Sequence, residues 1–308
     1  MEGNKHDSGE KKGLVHINTY TRDAFERLDR PEGVSLRESK LGGISYGFDA
    51  IDWLTCGIQP DDFIIIAARS SMGKTDFLVN IAQNVVGPDS NISVVFFSMK
   101  LSAVQIHKRF ICSRGKVRTD HYSMGNLEDI EWPSMVSAAG SLHETPLFID
   151  DSPVNSLEEL RQKITTFQTK RKIGLIVIDS LQHLSDVRDQ SDTSRVACLS
   201  RSIKSLAREL EIPVLASVHL SGSAQHRFDK RPFIEDLEAW ESITEYADVV
   251  GFLHCEEGND NIEDEIKVLA FIIRKNINGG LGEVSLLYKP VFHLFSEVHI
   301  VAETPMKN

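Results

Sequence analysis

Cysteine is scarce and poorly placed for cross-linking. The 308 residues hold four, Cys56, Cys112, Cys198 and Cys255, with no C-x-x-C pair. That excludes a disulfide framework and a zinc site, and leaves the four as reduced, half-buried fillers. Long apolar runs are also missing. The longest, such as Phe63 to Ala68, is far too short to span a bilayer. The N-terminus, Met1 to Asp7, is polar and lacks the apolar core of a secretion signal. No membrane contact is expected, and the cytoplasm is the expected location. Positive charge is in deficit: 34 Lys and Arg stand against 45 Asp and Glu, a net charge of −11. A chain that grips nucleic acid over its outer surface is normally basic, so any such contact here must be local, as in a channel.

What is present fits a globular α/β protein, with 41% hydrophobic and 26% charged residues. Residues 1–12 are charged and read as a disordered tail. Residues 13–30 read as a linker helix, because Leu14, Ile17, Thr21, Phe25 and Leu28 fall three or four apart before Pro31. Its apolar stripe needs a partner surface, on its own domain or on a neighbouring subunit. Residues 31–43 read as a linker with Gly33, Gly42 and Gly43. The main domain runs over 44–298, and 299–308 form a C-terminal tail. Strand candidates are Phe63–Ala68, Val94–Ser98, Leu147–Ile149, Leu175–Asp179, Val214–Val218, Val249–Leu253 and Val268–Ile273. Helical patterns lie between several of them, at Thr75–Val86, Ala103–Ser113, Ser156–Lys170 and Ser194–Leu210. This alternation predicts a mostly parallel sheet with helices on both faces, with ligands beyond the carboxyl ends of the strands.

One stretch carries specific chemistry. Behind the apolar run Phe63–Ala68 comes Arg69-Ser70-Ser71-Met72-Gly73-Lys74-Thr75, then the helical run through Phe77, Leu78, Ile81 and Ala82. It ends as a phosphate-binding loop of the form G-x-x-x-x-G-K-[ST] ends, although Ala68 stands where the first Gly belongs. Gly73 lets the backbone approach a phosphate. The amides from Ser71 to Thr75 open a helix, where the dipole favours an anion. Lys74 reaches the β- and γ-phosphates, and the Thr75 hydroxyl ligates Mg²⁺. Leu175–Asp179 is four apolar residues ending in an acid, which can hold Mg²⁺ or its water shell beside such a loop. Asp150 and Asp151 read as turn and helix-cap residues.

With these motifs the chain resembles the C-terminal RecA-like ATPase domain of the DnaB-type replicative DNA helicases. The matching segments are Gly57–Asp62, Ala67–Thr75, Phe148–Ser152, Ile178–Gln182 and Asp229–Pro232, in order and at compatible spacing. Ala68 at the first Gly position is usual in that family. The resemblance implies ATP and Mg²⁺ as cofactors, a homo-oligomeric ring of six, single-stranded DNA through its centre, and 5′-to-3′ unwinding in DNA replication. It places the linker helix where the family docks on an adjacent subunit, and finds no counterpart of the family's primase-binding N-terminal domain. It makes Lys74 and Thr75 the phosphate and metal ligands, Asp179 the strand-end acid, and Gln182 a candidate sensor of nucleotide state.

The same resemblance exposes four departures. Lys100 stands where the family has the Glu that activates the attacking water, and an ammonium cannot act as that base. Ile277 stands at the arginine-finger position, which leaves Lys275 as the surviving candidate for a contact in trans. His219 replaces a Gln that senses the γ-phosphate, and an imidazole can still hydrogen-bond phosphate. The DNA-facing loop reads Asp236 to Ser242, where Glu238 and Glu241 would repel phosphates and Trp240 reads as a packing residue. The best remaining basic patch holds Arg227, Lys230 and Arg231. General-base help contributes about 10²–10⁴ in rate and a finger about 10³–10⁵. The expected function is therefore an ATP-binding helicase domain with impaired hydrolysis. Two alternatives stay open: a fully active helicase, and a non-hydrolysing partner that loads, caps or inhibits a true one.

Overall fold

Every residue of the apolar run Phe63–Ala68 is buried, and the run forms β1 at the centre of the sheet. The computed structural model describes Ile17 and residues 43–86, 92–154, 156–184, 193–220, 230–255 and 266–298. The expected tail 1–12, the linker 31–42, the segment with Arg227 and the tail 299–308 lie outside the described residues. So does the expected linker helix 13–30, apart from Ile17, which is helical and exposed.

The remaining strands are β2 (Ser93–Ser98), β3 (Leu147–Asp150), β4 (Ile173–Asp179), β5 (Val214–His219), β6 (Val249–Cys255), β7 (Lys267–Asn276), β8 (Gly282–Lys289) and β9 (Leu294–Glu297). They form one sheet in the order β3-β2-β4-β5-β1-β6-β7-β8-β9. From β3 to β6 all pairings are parallel, and from β6 to β9 they are antiparallel. The seven expected strands are all present, most of them longer than expected at one or both ends. β8 and β9 were not expected. Their alternation of buried and half-exposed residues, interrupted by Pro290, gives a weaker pattern than the continuous apolar runs of strands covered on both faces.

The helices are α1 (Asp49–Thr55), α2 (Lys74–Val85), α3 (Ala103–Gly115), α4 (Thr119–Met124), α5 (Glu131–Glu144), α6 (Leu157–Gln168) and α7 (Thr193–Leu210). Period-2 alternation sends Phe63, Ile65 and Ala67 to one face of β1, where Leu160 of α6, Ile203 of α7 and Trp240 pack with them. Ile64, Ile66 and Ala68 go to the other face, against Ile51 of α1, Phe77 of α2 and Phe110 of α3. The sheet is thus sandwiched by helices, as the sequence predicts. All four cysteines are free: Cys112 and Cys255 are buried and Cys56 is half-buried, but Cys198 is exposed rather than half-buried. Among the described residues no helix is long and apolar enough to cross a membrane.

The register sets the position of the site. Ala68 pairs with His219 and Ser98 with Asp179, while Ile178 pairs with Ala216. The carboxyl ends of β2, β4, β5 and β1, four neighbouring strands, therefore open on one edge, and the loop 69–73 leaves β1 there.

Candidate nucleotide-binding site

The loop takes two left-handed backbone angles, at Ser71 (φ 65°) and Gly73 (φ 72°), and Gly73 precedes the first residue of α2. Gly73 is needed twice over. An L side chain is strained at that angle, and a Cβ there would lie 2.8 Å from the Tyr288 ring. Tyr288 of β8 stacks on Phe295 of β9, with ring centroids 4.4 Å apart. The two strands that the sequence did not reveal therefore form the floor beneath the phosphate loop.

From that loop Thr75 donates its hydroxyl to Asp179 Oδ2 at 2.6 Å, and Ser217 of β5 donates to the other carboxylate oxygen. Asp179 is buried. Lys74 reaches along β5 and donates to the Val218 carbonyl at 3.2 Å. Burial pushes the Lys74 pKa down to about 8; Asp179 opposes that shift and Lys100 adds to it. His219 Nε2 lies 3.4 Å from Ser70 Oγ. Burial, then Lys74, Lys100 and His183, hold His219 below the ordinary imidazole range. Gln182 donates to the His219 carbonyl at 3.1 Å. Arg69, Ser70, Ser71, Met72, Gly73, Lys74, Thr75, Asp179, Gln182 and His219 are thus gathered at one edge.

Sequence reasoning missed three groups here. Ser217 fixes Asp179, and a small hydroxyl inside a buried strand gave no distinct signal. His183 lies 2.9 Å from Ser180 Oγ; burial and Lys100 lower its pKa, with Asp179 opposing. Asp76, in the first turn of α2, is buried and bonded to Arg109 (3.0 Å), His293 (2.9 Å) and Tyr288 (2.5 Å). Burial pushes the Asp76 carboxyl up, but His293, Tyr288 and Arg109 outweigh it and hold it below the usual range. An acid following Gly-Lys-Thr on a helix face otherwise apolar was the available sign.

Lys275 is not at this edge. It lies at the end of β7 that pairs with the start of β6, at the opposite end of the sheet. There it donates to the Thr244 carbonyl at 2.6 Å. Within one chain it cannot meet Lys74, and any contact with a nucleotide must be with that of another chain. Ile277, just beyond it, is 61% exposed. Arg231 pairs with Glu283 at 2.6 Å, so part of the expected basic patch is already neutralised, and Lys230 is half-buried. Trp240 is buried in the core and cannot stack on a base, while Glu238 and Glu241 are exposed. Asp150 accepts from the Ser152 amide, and Asp151 accepts from the Ala103 amide at the start of α3.

The residues fit a nucleotide with Mg²⁺. The start of α2 presents backbone N–H groups to an anion, and the Thr75 and Asp179 oxygens are the hard donors that Mg²⁺ takes. Among the described residues no group of three or more His, Cys, Asp or Glu forms an all-protein metal cage.

The model of the DnaB-like helicase C-terminal domain matches residues 43–297. The chain is 36% identical over 290 residues to the replicative DNA helicase DnaB of Geobacillus stearothermophilus, covering 94% of this chain and 62% of that protein. It is also 36% identical over 283 residues to the replicative DNA helicase DnaC of Bacillus subtilis, covering 91% and 60%. The chain thus spans about three fifths of the length of these curated relatives. Among solved structures, one of an isolated ATPase domain superposes with a TM-score of 0.82 at 26% identity, covering 93% of this chain and 100% of that one. A DnaB-like replicative helicase, described with its interactions with primase, superposes at 0.79 and 26%, covering 92% and 68%. The mostly parallel sheet is a RecA-like ATPase fold.

Proposed function

We propose a function from the premise that this chain belongs to the DnaB-like helicase C-terminal domain family: it is an ATP-binding helicase domain of DNA replication that holds nucleotide well and hydrolyses it slowly. The observation that carries the reading is the contrast within one site. The loop 69–73, Lys74, Thr75 and Asp179 supply the groups that would bind, whereas Lys100, two residues past the end of β2, is exposed and of the same sign as Lys74.

Binding is the chain's own work. The loop amides and Lys74 take the phosphates, and Thr75 with Asp179 holds the cation. Mg²⁺ bound there neutralises charge on the β- and γ-phosphate oxygens. Both Asp179 oxygens accept from hydroxyls, so this carboxylate is occupied with positioning rather than with taking a proton from water. Lys100 carries three N–H donors and no lone pair when charged. The general-base contribution, about 10²–10⁴ in rate, is therefore absent from that position.

Assembly follows from where the remaining groups lie. Lys275 and Ile277 sit at the end of the sheet opposite Lys74, so one chain cannot complete its own site from that edge. A ring of copies, six by resemblance to the family, would bring the edge against a neighbour's nucleotide. Ile277 has no charge to place on a γ-phosphate, which removes the finger contribution of about 10³–10⁵. Single-stranded DNA is the proposed occupant of the ring. The test of the binding half is equilibrium titration with ATP: the unmutated chain binds and Lys74→Ala does not. Equal binding by both contradicts the reading.

A further inference from the structure

We propose that Lys100 is the specificity-determining residue by which this site distinguishes a nucleoside triphosphate from a diphosphate, its ammonium engaging the terminal phosphate. The inference rests on the nucleotide-binding reading above and deepens it.

Three observations converge. The first is position. Lys74 and Thr75 both extend from the loop toward β5 and β4, to the Val218 carbonyl and to Asp179. A phosphate chain seated on the loop and handled by these two groups is directed across β5 and β4 toward β2. Lys100 stands two residues beyond the end of β2, beside Asp179: Ser98 pairs with Asp179, and the Met99 amide donates to the Asp179 carbonyl at 2.8 Å.

The second is rigidity. Ser98 Oγ donates to the Leu101 carbonyl at 2.6 Å, and Ser102 closes a reciprocal cap with Gln105 at the start of α3. The turn carrying Lys100 is pinned on both sides, so the ordering that opposes binding is confined to the Lys100 side chain.

The third is charge. The Lys100 ammonium has no hydrogen-bond or ion-pair partner among the described residues, and it acts on three other basic groups of the site, Lys74, His183 and His219. Lys74 and Lys100, two like charges at this edge, repel one another, and an anion placed between them is attracted to both. A diphosphate ends within reach of Lys74. A triphosphate adds a further anionic group on the side where Lys100 waits, and a charge-assisted hydrogen bond there stabilises only the longer ligand.

The experiment compares Lys100→Met with the unmutated chain, titrating each with ADP and with a non-hydrolysable ATP analogue in Mg²⁺ by calorimetry. The variant is expected to lose about tenfold to a hundredfold in affinity for the analogue and less than about threefold for ADP. Lys100→Gln, run beside it, is expected to give the same split, and matching thermal midpoints establish that the variants fold. Equal losses for the two nucleotides, or no loss for either, overturn the assignment. An unmutated chain that binds neither nucleotide overturns instead the nucleotide-site reading on which the assignment stands.

Discussion

Thr75 and Asp179 are joined by a 2.6 Å hydrogen bond that ties the start of α2 to the end of β4. The bond fastens the phosphate loop to the strand-end acid, and it sets the distance between the two groups that would hold Mg²⁺. A carboxamide at position 179 keeps the shape and removes the charge. Asp179→Asn is expected to weaken Mg²⁺-dependent binding of an ATP analogue by about tenfold or more while leaving binding without Mg²⁺ nearly unchanged. Titrations with and without the metal check this. An unaltered metal dependence would place the cation elsewhere.

Gly73 lies against the Tyr288 ring, which Asp76 and Phe295 hold in place. Gly73→Ala introduces both a strained backbone angle, costing about 1–2 kcal/mol, and a contact that the ring cannot easily relieve. Loss of at least about 1 kcal/mol in a urea unfolding series, with loss of nucleotide binding, is the expected result. Unchanged stability would mean that the loop tolerates a different path.

Much of this arrangement was legible in the sequence, and the reason is physical. Strands buried on both faces read as unbroken apolar runs, so Phe63–Ala68 and Leu175–Asp179 stood out, and Gly-Lys-Thr picked out the edge where Thr75 meets Asp179. β8 and β9 were not legible because their half-exposed pattern is broken by Pro290, and Tyr288 and Phe295 meet beneath Gly73 only in the fold. Ser217 and Asp76 act through contacts from distant segments, which spacing along the chain cannot reveal. Lys275 was expected to act in trans, and antiparallel pairing of β7 with β6 puts it at the other end of the sheet from Lys74.

Asp62 offers a pH-dependent test of the core away from the site. Burial raises its pKa from 3.8 to about 6, against hydrogen bonds from the Gln59 amide and Asn278 and with the repulsion of Asp248. The folded state thus binds this proton more tightly than the unfolded chain does. The associated stability is complete below about pH 4 and is lost as pH rises through about 6. Asp62→Asn removes the titration. Between pH 4 and pH 7 the unmutated chain is expected to lose about 2 kcal/mol relative to the variant, read from denaturant midpoints across pH. Parallel pH profiles would show that Asp62 ionises as readily folded as unfolded.

On the proposed reading the binding groups are retained in this site, while Lys100 and Ile277 stand where the groups that drive hydrolysis would lie. Steady-state ATP turnover by the purified chain reads that contrast without an intermediary, with and without single-stranded DNA and under conditions where nucleotide binding has been verified. Turnover well below about one per second, unchanged by DNA, is the expected result. Turnover at or above that rate, stimulated by DNA, would restore an ordinary motor and overturn the loss of hydrolysis inferred from these two positions.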